Sequence, residues 1–320
     1  MKKILPAVLL IIPKIFCAQS SVDHRLAPVV PALYSEVDIN TEFRERDFAL
    51  SPDGTEIFYT LQSPKANFQT IIYRKKDTKG KWSRPEVAPF SGKFTDLEPA
   101  FTRDGKKLFF VSNRPITGTN IKDFDIWYLE KKDDKWGEPK NVGEPVNSTS
   151  NEFYPSVCTN GNLYFTAERK NSNGQEDIYV SVFTNGKYSE AIPVDTAVNS
   201  VADEFNAFVS PDEQFIIFSS YGRKDDKGGG DLYMSKKDAA GRWTPAKNLL
   251  FINSDKLDYC PFVTFDRQSL FFTSERHVLQ NTFPDKPATY SRLLKDYSSV
   301  LNGGGNIYWV SFEEVLKNLN

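Results

Sequence analysis

Short apolar runs, rich in aromatic and β-branched residues, alternate along this chain with clusters of Gly, Asn, Asp and Pro, a pattern that predicts antiparallel strands joined by turns. The stretch 152–203 shows one unit in full. Tyr154-Pro155-Ser156-Val157-Cys158 predicts a first strand, Thr159-Asn160-Gly161 a tight turn and Leu163-Tyr164-Phe165-Thr166 a second strand. After the loop ERKNSNGQE, Asp177 to Ser181 predicts a third strand, Thr184-Asn185-Gly186 turns the chain, and Tyr188 opens a fourth that ends near Val198-Asn199-Ser200. Turns such as SPDG at 51–54 and TRDG at 102–105 put Asp and Gly where the backbone must reverse sharply. Helix is expected to be minimal.

The unit recurs five times in register. An acid (Glu45, Asp96, Glu152, Glu204, Asp258) is followed eight positions later by a turn residue (Asp53, Asp104, Asn160, Asp212, Asp266). Successive acids lie 51, 56, 52 and 54 residues apart, slightly more than the usual spacing of four-stranded propeller blades and far more than any helical repeat. Five residues ahead of the acids stand Asn147, Asn199 and Asn253, with Ser91 taking that place once and Asn40 standing five before Glu45. Residues 28–41 therefore read as the tail of a fourth strand that lacks a blade. The last repeat supplies three strands, ending at Asn306 to Val310. The expected fold is all-β: a five-bladed propeller whose N-terminal strand completes the last blade and removes two open sheet edges, with six blades as the alternative. The expected organisation is a leader at 1–18 and one propeller domain at 19–320, with repeats near 45–95, 96–151, 152–203, 204–257 and 258–312.

Composition narrows the setting. MKK, the run ILPAVLLII and a small residue before Gln19 form a secretory signal, too short to span a bilayer, and no later stretch approaches ~18 unbroken apolar residues. Cys17 would be the anchor of a lipoprotein, but Phe16 stands where such a site needs a small residue. A secreted or periplasmic protein without a lipid anchor is expected. Removing 1–18 takes away Lys2, Lys3 and Lys14 and no acid, so the formal charge of −2 becomes −5. That balance offers no nucleic-acid footprint and no polybasic membrane surface. Cys158 and Cys260 fall in blades that are not neighbours, which argues against a disulfide.

The repeat resembles the WD-repeat-like propellers of the TolB-like family. The resemblance rests on Pro99, Pro155 and Pro261, on LFFVSNR at 108–114 and LFFTSER at 270–276, and on DIW at 125–127, DIY at 177–179 and DLY at 231–233. The tail GNIYWVSFEEVLKNL is similar to the ends of secreted proteins of this group from Bacteroidetes-type bacteria. Blade 1 departs from the pattern: Phe48 replaces the Pro, Thr70 the Asp, and no Arg follows its second strand. The resemblance implies the propeller and a binding surface more than an activity.

In such a ring the fourth-to-first and second-to-third connections share one face, the top, and the tight turns share the other. The five acids, together with Arg114, Arg169, Arg223 and Arg276, gather on top and are the candidate binding residues. Two roles suit the acids: a carboxylate ring able to hold a divalent cation or serve a glycosidase, or local bonds that hold each blade together. A column filled in every blade favours the second, because catalysis needs a few distinct carboxylates. No other cofactor and no catalytic residue is expected. With only His24 and His277, no G-x-S-x-G elbow and no phosphate loop, a His-based metal centre and a conventional hydrolase triad are excluded. The GGG runs at 228–230 and 303–305 lead into strands, so they turn the backbone rather than cradle phosphate. Trp82, Trp136, Tyr188 and Trp243 are expected at the starts of fourth strands as packing anchors.

One segment breaks the symmetry. Blade 5 carries some thirty residues between its second and third strands, and apolar positions 290, 293, 294, 297, 300 and 301 within it give a helix-like face. It is expected to act as a lid or docking element, or to pack on the rim. The functional expectation is a non-enzymatic module that binds a protein or a cell-envelope glycan through its top face. The alternative is a carbohydrate-active enzyme using top-face carboxylates.

Overall fold

The computed structural model describes residues 26–319. The leader, Cys17 and His24 lie outside the described residues. Five antiparallel four-stranded sheets follow one another along the chain. Their innermost strands are Arg44–Leu50, Asp96–Phe101, Glu152–Val157, Asp203–Val209 and Asp258–Val263. Each is followed outward by its second, third and fourth strands, the meander of a propeller blade. Second strands such as Lys107–Ser112 and Ser269–Ser274 sit between neighbouring blades and are covered on both sides. For that reason they read as continuous apolar runs, Leu108-Phe109-Phe110-Val111 for instance, rather than as alternating ones.

The ring closes as the repeat predicts. Ala32–Leu33 pairs antiparallel with Asn306–Ser311, Ala32 opposite Trp309 and Leu33 opposite Tyr308. The Tyr34 ring then packs against Phe271 and Trp309 at centroid distances of 5.0 and 5.2 Å. Fourth strands are short everywhere, two residues each. The Asn column extends them. Asn147, Asn199 and Asn253 each accept from a third-strand amide and donate to the same residue's carbonyl: Ile126 at 2.9 and 2.9 Å, Ile178 at 2.9 and 2.9 Å, Leu232 at 3.0 and 2.9 Å. The carboxamide imitates the next peptide of the strand. Asn40 does the same to Ile307 across the closure, at 2.7 and 3.1 Å, and Ser91 keeps half of the pattern by accepting from Ile71 N at 3.1 Å.

Three details differ from expectation or refine it. Trp82, Trp136, Tyr188 and Trp243 pair with the ends of third strands or the residues after them, at the foot of the hairpin, and the short fourth strands follow further on. Two helices are present: α1, Tyr290–Tyr297, in the blade 5 connection, and α2, Phe312–Lys317, after the last strand. Helix α2 departs from the expectation of minimal helix, although Phe312, Val315, Leu316 and Leu319 have helical spacing; Phe312 and Val315 are buried there, and Phe312 meets Phe215 at 5.2 Å. Cys158 and Cys260 are both buried free thiols.

Candidate functional site at the top of the channel

Each repeated acid starts an innermost strand at its top end and is buried. Its partners are local. Glu152 accepts from Ser148 N at 3.1 Å and Ser148 Oγ at 2.6 Å, Glu204 from Ser200 N and Oγ at 2.7 and 2.7 Å, and Asp258 from Ser254 N and Oγ at 2.5 and 2.8 Å. Arg169, Arg223 and Arg276 reach the same carboxylates at 3.1, 2.7 and 2.7 Å, and Arg114 reaches Asp96 at 2.7 Å. A second guanidinium bond runs to a connection carbonyl: Phe90 for Arg114, Val146 for Arg169, Val198 for Arg223 and Ile252 for Arg276. The cation lies over two rings of its own blade, Phe110 and Trp127 for Arg114 or Phe272 and Tyr308 for Arg276. The candidate residues thus form one clamp per blade, tying the incoming connection to the second and third strands. Burial raises the carboxyls of Asp96 and Glu152, against the pull of these partners.

Two clamps are incomplete. Glu45 of blade 1 has no arginine and is held by Thr41 N at 3.0 Å and Thr41 Oγ1 at 2.6 Å, with its carboxyl raised by burial. In blades 2, 4 and 5 the arginine Nε donates to a second-strand serine, Ser112, Ser220 or Ser274, at 2.8, 3.0 and 2.7 Å. Blade 3 has Ala167 at that register, opposite Glu152, and Arg169 Nε is buried without a partner.

Two positions beyond each acid lies a second ring, which sequence reasoning missed. Asp47, Glu98, Tyr154, Asn206 and Cys260 all have left-handed backbones, with φ of 60, 58, 50, 49 and 53°. Each stands where the pairing of its innermost strand shifts register. Such conformations cost non-glycine residues about 1–3 kcal/mol and persist where the surroundings enforce them. The surroundings here are the other blades, across the channel axis. Arg46 donates to Asp47 at 2.8 Å and to Glu98 at 2.9 Å, lies 3.5 Å from Cys260 Sγ, and covers the Tyr259 ring at 5.2 Å. Glu98 also accepts from Tyr154 N at 2.6 Å and from Asn206 Nδ2 at 3.3 Å, and Cys260 Sγ contacts Asn206 Oδ1 at 3.4 Å. All five blades meet in this network. One guanidinium serves two carboxylates, and burial pushes Glu98 up to about 8, with Arg46 opposing the rise and Asp47 adding to it. Burial also raises the Cys260 thiol well above its ordinary value, so it is no nucleophile. Beneath the ring, a cavity of about 40 Å³ is lined by Phe48, Phe101, Phe208, Phe262 and Phe265 among others. The column could be found in the repeat only by its variety, because five different side chains share no motif.

Above the ring the top face opens. A cleft of about 450 Å³ over blade 3 is lined by Ser150, Asn151, Phe153, Glu168, Arg169, Lys170 and Glu176. Exposed large apolar side chains also concentrate on this face: Phe43 and Phe68 beside blade 1, Ile116 and Ile121 over blade 2, Val201 and Tyr221 over blades 3 and 4, and Val278 with the α1 stripe Tyr290, Leu294 and Tyr297 over blade 5. The opposite face exposes Val182 and Phe183 in one hairpin and the segment around Leu26, Val29 and Val30, and the outer edge of the ring exposes Val87, Ile192 and Leu250 on or beside fourth strands. Helix α1 has no buried residue; Tyr290, Leu294 and Tyr297 are 76, 50 and 59 % exposed. The loop is fixed at its base, where Asn302 Nδ2 donates to Glu42 O at 2.9 Å and Leu301 packs on the core. Among the described residues no three His, Cys, Asp or Glu side chains are grouped to hold a metal ion, and no helix is long and apolar enough to cross a membrane.

No family model matches the sequence, and no curated protein does. Solved structures share the fold. The BT0996 protein in its RGII complex is 8 % identical, with a TM-score of 0.55 over 89 % of this protein and 92 % of that one. The catalytic domain of the Coprinopsis cinerea GH62 α-L-arabinofuranosidase is 9 % identical, with a TM-score of 0.46 over 89 % and 94 % of the two sequences. A Dyadobacter fermentans protein of unknown function is 13 % identical, with a TM-score of 0.43 over 78 % and 79 %. At these identities the likeness concerns the fold alone.

Proposed function

We propose that this protein is a non-enzymatic binding module of the cell envelope, exported by its leader, that docks a partner protein through the top face of the propeller. The stripe on α1 carries the reading: Tyr290, Leu294 and Tyr297 stand open together on one helix that buries none of its residues, and an apolar stripe left open in this way marks an interaction site. The repeat's resemblance to TolB-like propellers supports the same kind of role. In the test, Tyr290→Ser, Leu294→Ser and Tyr297→Ser are combined and partner capture from envelope extract is compared with that of the parent. Capture should fall while the melting temperature holds, since none of the three is buried; undiminished capture would refute the assignment.

A glycosidase is the second reading, favoured by Asp47 and Glu98 on one axis with Glu98 pushed up to about 8, the asymmetry expected of an acid beside a base. Both carboxylates, however, hold Arg46, and the room beside Glu98, about 40 Å³, is smaller than a sugar ring needs. Hydrolysis of aryl glycosides, abolished by Glu98→Gln without loss of fold, would favour the enzyme.

A further inference from the structure

In four blades the amide of the repeated acid ties its innermost strand to the end of the previous blade's top connection. Glu152 N donates to Phe124 O at 2.9 Å, Glu204 N to Glu176 O at 2.9 Å, Asp258 N to Gly230 O at 3.0 Å and Glu45 N to Gly305 O at 2.9 Å. Three of these acids also hold an arginine, and Glu45 does not. It is 1 % exposed, and the donors that reach it, Thr41 N and Thr41 Oγ1, are neutral. A carboxylate taken out of water without a cation favours its neutral form. Burial accordingly raises the Glu45 carboxyl, against the Thr41 bonds and with Glu42 adding to the rise.

The charged groups around Glu45 are engaged elsewhere. Arg44 and Arg46 alternate to the other side of the strand, where Arg44 meets Glu275 at 3.9 Å and Arg46 holds Asp47 and Glu98. On the second strand Leu61 stands opposite, and Tyr59 lies near with a hydroxyl that also feels Arg74 and Asp38. Residues 302–305 are uncharged, with His277 beside Gly303.

Glu45 also sits where the α1 connection is mounted. Asn302 Nδ2 donates to Glu42 O at 2.9 Å and to Tyr297 O at 3.0 Å, while Asn302 Oδ1 accepts from Gly304 N at 2.9 Å. A Cβ at Gly304 would come within 3.1 Å of Phe43 O, so the 41–45 turn and the base of the connection are closely packed. Opening the turn hydrates Glu45 and frees that base in one step.

We propose that Glu45 is a pH-sensitive latch: its protonation fastens the 41–45 turn to the base of the α1 connection, and its ionisation loosens both. The latch is fully fastened below about pH 4.5 and loosens as the pH rises through the raised value of the buried carboxyl. The proposal rests on the docking reading only for its consequence, that partner capture through α1 strengthens as the pH falls.

The test is amide hydrogen exchange of the whole mature chain, read as protection factors between about pH 4.5 and 8. Protection of the Glu45 amide should fall with rising pH by up to about tenfold per pH unit, the limit for one coupled proton. The Glu204 amide, whose carboxylate Arg223 holds, should not follow. Glu45→Gln keeps the shape and an acceptor for Thr41 and should make protection at position 45 independent of pH, whereas His277→Asn should leave the pH dependence intact. The proposal is overturned if protection at Glu45 does not change with pH, if the Gln variant keeps the change, if His277→Asn removes it, or if the Glu204 amide falls equally. Partner capture at the two ends of the range separates the readings: a latch seen by exchange with capture unaltered would uphold the latch and refute docking through α1.

Discussion

A buried arginine is tolerable only where its charge is paired and its remaining donors are satisfied, and the per-blade clamp meets both needs. Blade 3 shows the cost of a missing part. Ala167→Ser should supply the absent acceptor for Arg169 Nε and raise stability by roughly 0.5–1.5 kcal/mol, read by denaturant unfolding. Removing the acid instead, as in Glu152→Ala, leaves that arginine uncompensated and should cost about 3–5 kcal/mol. The acids and arginines were legible in the sequence because every blade repeats them. Glu98 was not, since its importance comes from the three other blades that bond to it through Arg46, Tyr154 and Asn206. Its folded value, about 8, lies above the ordinary 4.5. Its contribution to stability is therefore fully present below about pH 4.5 and is lost as the pH rises through about 8. Glu98→Gln should flatten the fall in melting temperature across that window relative to the parent. An identical pH profile for the two proteins would show that Glu98 does not titrate there.

At the level of strands, the Asn column explains how two-residue fourth strands hold the outer edge of each blade. Asn199→Ala removes two buried bonds to Ile178 and a third to the Val194 carbonyl and should cost about 3 kcal/mol, each lost bond counting for roughly 1. Asn40→Ala removes the equivalent pair from the closure, where the partner is 267 residues away. It should speed hydrogen exchange at the Ile307 amide more than at Ile126. Equal exchange at both sites would mean that the closure does not depend on Asn40. The in-register Asn made the closing strand readable although it has no blade of its own. Helix α2 escaped because its apolar spacing runs on from a strand and no Gly or Pro marks the change. The bulges that turn Asp47, Glu98, Tyr154, Asn206 and Cys260 toward the axis escaped for a different reason. Left-handed backbone is usually signalled by Gly or Asn, and here tertiary contacts impose it on Glu, Tyr and Cys.

Across the whole ring, the repeat determines the propeller, and the departures from it, namely the blade 5 connection and the uneven spread of exposed apolar residues, mark the face proposed to meet a ligand. Repetition is visible in a single sequence. The sharing of one face by connections of five blades is not, because those connections come together only after the ring has closed. The two faces also differ in charge chemistry. Asp53, Asp104 and Asp212 in the opposite-face turns are held below the ordinary carboxylate range by hydroxyl, amide or cationic partners that outweigh burial. Those turns are self-satisfied, whereas the top face keeps unpaired groups. The central claim, that the top face is the docking surface, is tested most directly by hydroxyl-radical footprinting of the protein with and without its captured partner. Protection should appear at Tyr221, Tyr290, Leu294 and Tyr297 and be absent at Trp82, Phe183 and Trp243. Protection confined to the latter three would place the partner on the opposite face and contradict the account.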